Sequence, residues 1–173
     1  MNNIFIFLLA VTWLMNSASA ATPASHCLAN ETTLFTCTLT NKKIVSLCST
    51  KKTPRDTGYL QYRFGVLGRV ELAIPNKKSG IPVFALVHSK DKYTEYDKIA
   101  IVSEPLTYNI ESYRQFKKLK DGYPTPKSND SLTIEDSRKS VWEGNKVFTS
   151  NCSPLAAPLD IEIISKMTGI KAE

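Results

Sequence analysis

The first twenty residues decide which chemistry the rest of the chain uses to hold itself together. Met1-Asn2-Asn3 is uncharged, Ile4 to Met15 is an apolar run, and Asn16-Ser17-Ala18-Ser19-Ala20 closes it with small residues. An apolar stretch of this length ending in Ala18-x-Ala20 reads as a secretory signal over residues 1–20, cleaved after Ala20. It is too short to span a bilayer, which takes roughly twenty apolar residues. His26 directly before Cys27 spoils the small-residue pattern that lipid attachment needs. The expected product is therefore soluble, periplasmic or secreted, and not membrane-spanning once the signal is removed.

An oxidising destination changes how the cysteines are read. Cys27, Cys37, Cys48 and Cys152 all lie in the exported part, and an even set of this kind predicts two disulfides. Four cysteines allow three pairings. A hairpin turning between Lys42 and Lys43 sets Cys37 opposite Cys48 on a shared face, which predicts Cys37–Cys48 and leaves Cys27–Cys152. A turn one residue earlier sets Cys37 against Ser46 and defeats that pairing. Zinc is disfavoured, because no C-x-x-C spacing exists and His26 and His88 are the only histidines. No metal and no cofactor are expected.

Residues 21–173 amount to one ordinary domain. Ala21 to Ser25 reads as a flexible lead. Thr33 to Thr40 and Lys43 to Ser49 are rich in β-branched and aromatic residues, as strands require. Tyr59 to Phe64 and Arg69 to Ile74 alternate cleanly. A three-residue loop Val66-Leu67-Gly68 between them sets Leu60, Tyr62 and Phe64 against Ile74, Leu72 and Val70, with Arg63 facing Glu71. Pro82 to Val87 and Lys98 to Val102 are further strands, and Tyr123 to Ser131 is a loop. Ser140 to Asn151 forms a hairpin turning at Glu143 to Lys146. Glu111 to Lys120 carries Tyr113, Phe116 and Leu119 at helical spacing. Asp160 caps a closing helix that presents Ile161, Ile164 and Met167 on one side and stops at Gly169. The expected fold is mainly β, an antiparallel sandwich or partly open barrel, with one or two short helices and disulfide cross-links.

Three strings carry a family resemblance: Glu31-Thr32-Thr33-Leu34-Phe35-Thr36-Cys37, Lys43-Ile44-Val45-Ser46-Leu47-Cys48, and Gly58-Tyr59-Leu60-Gln61-Tyr62-Arg63-Phe64-Gly65. With Val70 to Pro75 and Gly144 to Cys152 they resemble a family of exported bacterial proteins with no assigned activity. The likeness is specific from Cys27 to Pro75 and thin beyond it; Tyr108 to Ser131 does not align. It implies bacterial origin, periplasmic placement and a small β-rich disulfide fold. It transfers no catalytic residue.

A search for catalytic chemistry finds no G-x-S-x-G, no H-E-x-x-H and no phosphate-binding glycine loop. Ser49-Thr50-Lys51-Lys52 gives S-x-x-K, but the companion motifs are replaced by Ser128-Asn129-Asp130 and Lys166-Met167-Thr168-Gly169. Both histidines read as structural, and Glu95, Asp97, Glu135 and Asp136 as solvent-exposed carboxylates. No catalytic residue is expected. The formal charge of +6 lies entirely outside the signal and favours anionic partners. A helical face bearing Arg114, Lys117 and Lys118, with Lys120 beyond, offers a contact for phosphates or an acidic protein surface, beside the plainer reading of a solvated helix. Export argues against nucleic acid. The functional expectation is a non-catalytic binding or inhibitor/immunity-type protein of the bacterial envelope, with a protein or an anionic envelope component as partner. A peptidoglycan-directed hydrolase and a structural envelope protein are the rivals.

Overall fold

A computed structural model of the protein describes residues 24–51, 58–77, 80, 82, 84–115, 127–136, 145–152 and 159–172. The expected signal, Lys117, Lys118, Lys120 and the expected turn residues Glu143 and Gly144 lie outside them. The strands are β1 (Glu31–Thr38), β2 (Ile44–Thr50), β3 (Leu60–Val66), β4 (Arg69–Ile74), β5 (Phe84–Lys90), β6 (Thr94–Ser103), β7 (Leu106–Gln115), β8 (Lys127–Asp136) and β9 (Asn145–Asn151), followed by helix α1 (Ile161–Thr168). They form two antiparallel meanders, β1-β2-β3-β4 and β5-β6-β7-β8-β9. The expected mainly β, disulfide-linked fold is the one observed. No helix among the described residues is long and apolar enough to cross a membrane.

Opposed residues in an antiparallel ladder share a face, so register decides what is buried together. In the first sheet Cys37 faces Val45, Val45 faces Phe64, Leu47 faces Tyr62, and Tyr62 faces Ile74. In the second, Leu86, Ile99, Ile110 and Leu132 form one such row, and Phe84, Ile101, Tyr108 and Ile134 another. These rows make a single core, joined by Leu159, Ile161 and Ile164 from the α1 region. The Tyr62 and Tyr108 rings meet at 5.3 Å between the sheets. Each such buried large apolar side chain stabilises the fold by about 1.5–3 kcal/mol. Helix α1 matches its expected ends: the Asp160 side chain accepts from the Ile163 amide, and Gly169 stops it with φ 70°.

The β3–β4 hairpin keeps its expected faces but not its partners. Val66 pairs with Arg69 across a two-residue turn, and a bulge at Gly65 brings Phe64 opposite Leu72 and Arg63 opposite Ala73. The predicted register is displaced by two, which preserves which side each residue faces. Gly65 allows the backbone crossing there, since a Cβ would lie 2.2 Å from the Arg69 oxygen.

The predicted disulfides are exchanged. Cys27 pairs with Cys48, and Cys37 with Cys152. The β1–β2 turn closes earlier along the chain than supposed: the Leu39 amide donates to the Lys43 oxygen, and Lys42 takes the left-handed conformation at φ 67°. Cys37 therefore faces Val45 on the core side, while Cys48 faces Thr33 and Gln61 on the opposite side. Two cysteines on opposite faces of a ladder cannot bridge. Cys37 instead reaches Cys152 across the core, where Leu39 bridges Cys152 and the Thr40 and Ser150 hydroxyls meet at 3.0 Å.

Three further expectations are corrected. Residues 111–115 of the proposed basic helix continue strand β7, because their alternation pairs them with β6 and β8. Residues 127–131, read as loop, belong to β8. Lys146, placed in a turn, lies in β9 opposite Glu135.

The expected flexible lead is also tied down from Ala24 onward. The Thr36 hydroxyl donates to the Ala24 oxygen, the His26 amide donates to the Ser46 hydroxyl, and Cys27 is locked to Cys48. This strap covers a buried ion pair in which Arg63 donates to both Glu31 carboxylate oxygens at 2.6 and 2.7 Å and to the His26 oxygen at 2.7 Å. Tyr59 donates to the same carboxylate. Burial alone pushes the Glu31 carboxyl up, but Arg63, Tyr59 and the Leu28 amide overcome this and hold it at about 2, below its ordinary 4.5.

Candidate functional site

Strand alternation that builds the core also builds a polar site at its margin. Phe84, Leu86 and His88 share a face of β5; Ile101, Ile99, Asp97 and Glu95 share the matching face of β6; Ile110, Ser112 and Arg114 share that of β7. At one end of this face the apolar rows give way to a row of His88, Asp97 and Ser112, then to one of Lys90, Glu95 and Arg114. Helix α1 packs against β5 and β6. The result is a cleft of about 710 Å³ walled by His88, Glu95, Arg114, Leu159, Ile161 and Lys166 among others.

Two carboxylates organise the wall. Asp97, with only 4 % of its side chain exposed, accepts from His88 Nδ1 at 2.7 Å and from Arg114 Nη2 at 3.2 Å. Glu95 accepts from Arg114 Nη1 at 3.1 Å and from Lys90 Nζ at 3.3 Å. Arg114 Nη2 also donates to the Leu159 oxygen at 3.1 Å, fastening the entry to α1 onto the sheet. A carboxylate partner takes the N–H of an imidazole, so Asp97 holds the ring with Nδ1 protonated. Nε2 is then left without a partner among the described residues, on a side chain 41 % exposed. Such a nitrogen accepts a hydrogen bond or a proton.

His88, Glu95 and Asp97 each offer a donor atom, and the three atoms lie within 4.8 Å of one another. Imidazole with two carboxylates is a donor set suited to borderline divalent metals. Arg114 already bridges both carboxylates, however, so an internal cation satisfies their charge. The cluster holds the histidine and the helix entry in place.

Of the residues expected to meet an anionic partner, Arg114 stands in this cleft, bound to Glu95 and Asp97 and not displayed on a helix; Lys117, Lys118 and Lys120 fall outside the described residues. Asp97, read as exposed, is buried. The pairing of His88 with Asp97 was legible in principle. It requires β5 and β6 to continue to the Asp91-to-Thr94 turn, where Asp91 Oδ1 accepts from the Tyr93 and Thr94 amides. Starting the second strand at Lys98 hid that register. Comparisons with protein-family models, with curated proteins and with solved structures gave no match.

Proposed function

We propose that this chain is an exported, non-catalytic binding or inhibitor/immunity-type protein of the bacterial envelope that takes its partner at the His88 cleft. The cleft carries the reading: its volume of about 710 Å³ suits a ligand site, which usually spans roughly 300–1,000 Å³. Its charged wall is pre-paired, so little conformational freedom is lost on binding. Export is supported by the Ile4-to-Ala20 pattern, the two disulfides and the family resemblance. The surplus of basic residues favours a protein or envelope partner with acidic character, although Arg114 is already engaged and adds little to that attraction. Titration of isotope-labelled mature protein with solubilised envelope fragments should give saturable shifts at His88, Leu159 and Lys166. Saturable shifts confined to other parts of the molecule reject the cleft.

One observation favours a second reading, an envelope hydrolase: His88 is oriented by a buried carboxylate, as a general base would be. Ser165, a hydroxyl in the cleft wall, donates instead to the Ile170 oxygen at 2.6 Å. Release of soluble fragments from peptidoglycan by the wild type and not by His88→Asn would favour the hydrolase.

A further inference from the structure

The binding reading leaves open which chemistry the cleft selects, and its wall divides into charges already engaged and charges still available. Glu95, Asp97, Arg114 and Lys90 neutralise one another, and Asp160 is engaged by the Ile163 amide. Among the described residues Glu162 and Lys166 line the same cleft with no hydrogen-bond or ion-pair partner. His88 Nε2 is the third unengaged polar group, and Leu159, Ile161 and Ala172 supply apolar wall.

We infer that the cleft recognises a zwitterion of dipeptide size, its ammonium at Glu162, its carboxylate at Lys166 and an amide N–H at His88 Nε2. This rests on the reading of the cleft as a binding site and sets a net-neutral ligand there in place of an acidic one. Glu162 is an anion with both oxygens available, beside Asp160, which keeps its charge while it caps the helix. Lys166 is the cation one turn on, so a ligand with a single charge gains one partner and meets a like charge at the other. Glu162 and Lys166 stand four residues apart on α1, about 6 Å along the helix axis at 1.5 Å per residue. An extended dipeptide spans roughly 7 Å at 3.3–3.6 Å per residue, whereas a single amino acid holds its two charges closer together. The apolar wall accommodates an aliphatic side chain beside them.

The test titrates four probes into oxidised mature protein and follows the His88 ring and Lys166 side-chain resonances: alanyl-leucine, its N-acetyl form, its C-terminal amide, and the doubly blocked compound. The zwitterion should saturate both signals, with each singly blocked form at least tenfold weaker. Glu162→Gln should abolish discrimination against the N-acetyl form alone, and Lys166→Gln discrimination against the amide alone. Both residues are exposed on the helix, so neither substitution threatens folding. Blocked forms binding as tightly as the zwitterion, or variants that keep the wild-type preference, overturn the zwitterion inference and leave the cleft as a binding site. No shift with any probe overturns the zwitterion inference alone, while the titration with envelope fragments decides the cleft itself.

Discussion

Glu31–Arg63 and Asp97–Arg114 are one chemical pair in two settings. In each, an arginine on a central strand clamps carboxylate oxygens and also donates to a backbone oxygen of a segment lying across its sheet, His26 in one case and Leu159 in the other. Each cluster includes a histidine. The difference is access to solvent. Arg63 is 5 % exposed and its bonds are 2.6–2.7 Å long, with Gln61 taking its Nε–H as well. Arg114 is 30 % exposed and its bonds are 3.1–3.2 Å long. His26 is covered, with Nε2 facing the Gly65 oxygen at 3.3 Å, whereas His88 turns a free nitrogen to the cleft. A covered cluster contributes its electrostatics to stability, while a half-open one keeps part of its bonding capacity for a partner.

That contrast can be broken most severely at Arg63. Arg63→Met leaves Glu31 buried without its cation and should cost about 3–5 kcal/mol in denaturant unfolding. A loss under about 1 kcal/mol means that the strap holds itself without the pair. Adding Glu31→Gln to Arg63→Met removes the stranded charge and should restore part of the stability. Replacing Cys27 and Cys48 together with Ala frees the strap from β2 and should cost about 3 kcal/mol by the loop-entropy argument. Hydrogen exchange at the His26 and Cys48 amides should rise before that of the second sheet.

Acid separates the two clusters next. The folded Glu31 carboxyl sits at about 2, below its ordinary 4.5, so its stabilisation is complete above pH 4.5 and drains away as pH falls towards 2. The shift corresponds to roughly 3 kcal/mol over that window. Unfolding free energy measured from pH 6 to pH 2 should fall more steeply for the wild type than for Glu31→Gln. Parallel curves would remove Glu31 as the source. Arg114→Met should cost less, about 1–2 kcal/mol, because Arg114 is itself 30 % exposed and Asp97 keeps the His88 N–H. Equal losses at Arg63 and Arg114 would erase the distinction drawn between the clusters. His88→Asn should change stability by no more than about 0.5 kcal/mol. It should nevertheless abolish saturable binding at the cleft, and retained binding would show that the ring is a bystander.

Much of this architecture is legible in the chain. Alternation in Leu60-Tyr62-Phe64 and Leu72-Ile74 names the buried face, because side chains point to opposite sides at every step. Asp160 and Gly169 bracket α1 by capping chemistry that needs no distant partner. Register is another matter, since it depends on where each turn closes. A shift of two residues in β3–β4 left the faces intact and only exchanged partners, so Arg63 found Glu31 in place of Glu71. In β1–β2 the turn closed at a different point and set Cys37 and Cys48 on opposite faces, which exchanged both disulfides. The helical reading misled over residues 111–115 because long-range pairing with β6 and β8 overrides local propensity.

The sequence by itself determined the periodicities, the helix ends and the even set of cysteines, all of which act through neighbours along the chain. Only the tertiary structure decided which cysteine meets which and that His88, Asp97 and Arg114 share a cleft under α1. Those are contacts across strands, set by the closing geometry of turns and by packing between sheets, and one residue of displacement there reverses the side on which a group acts.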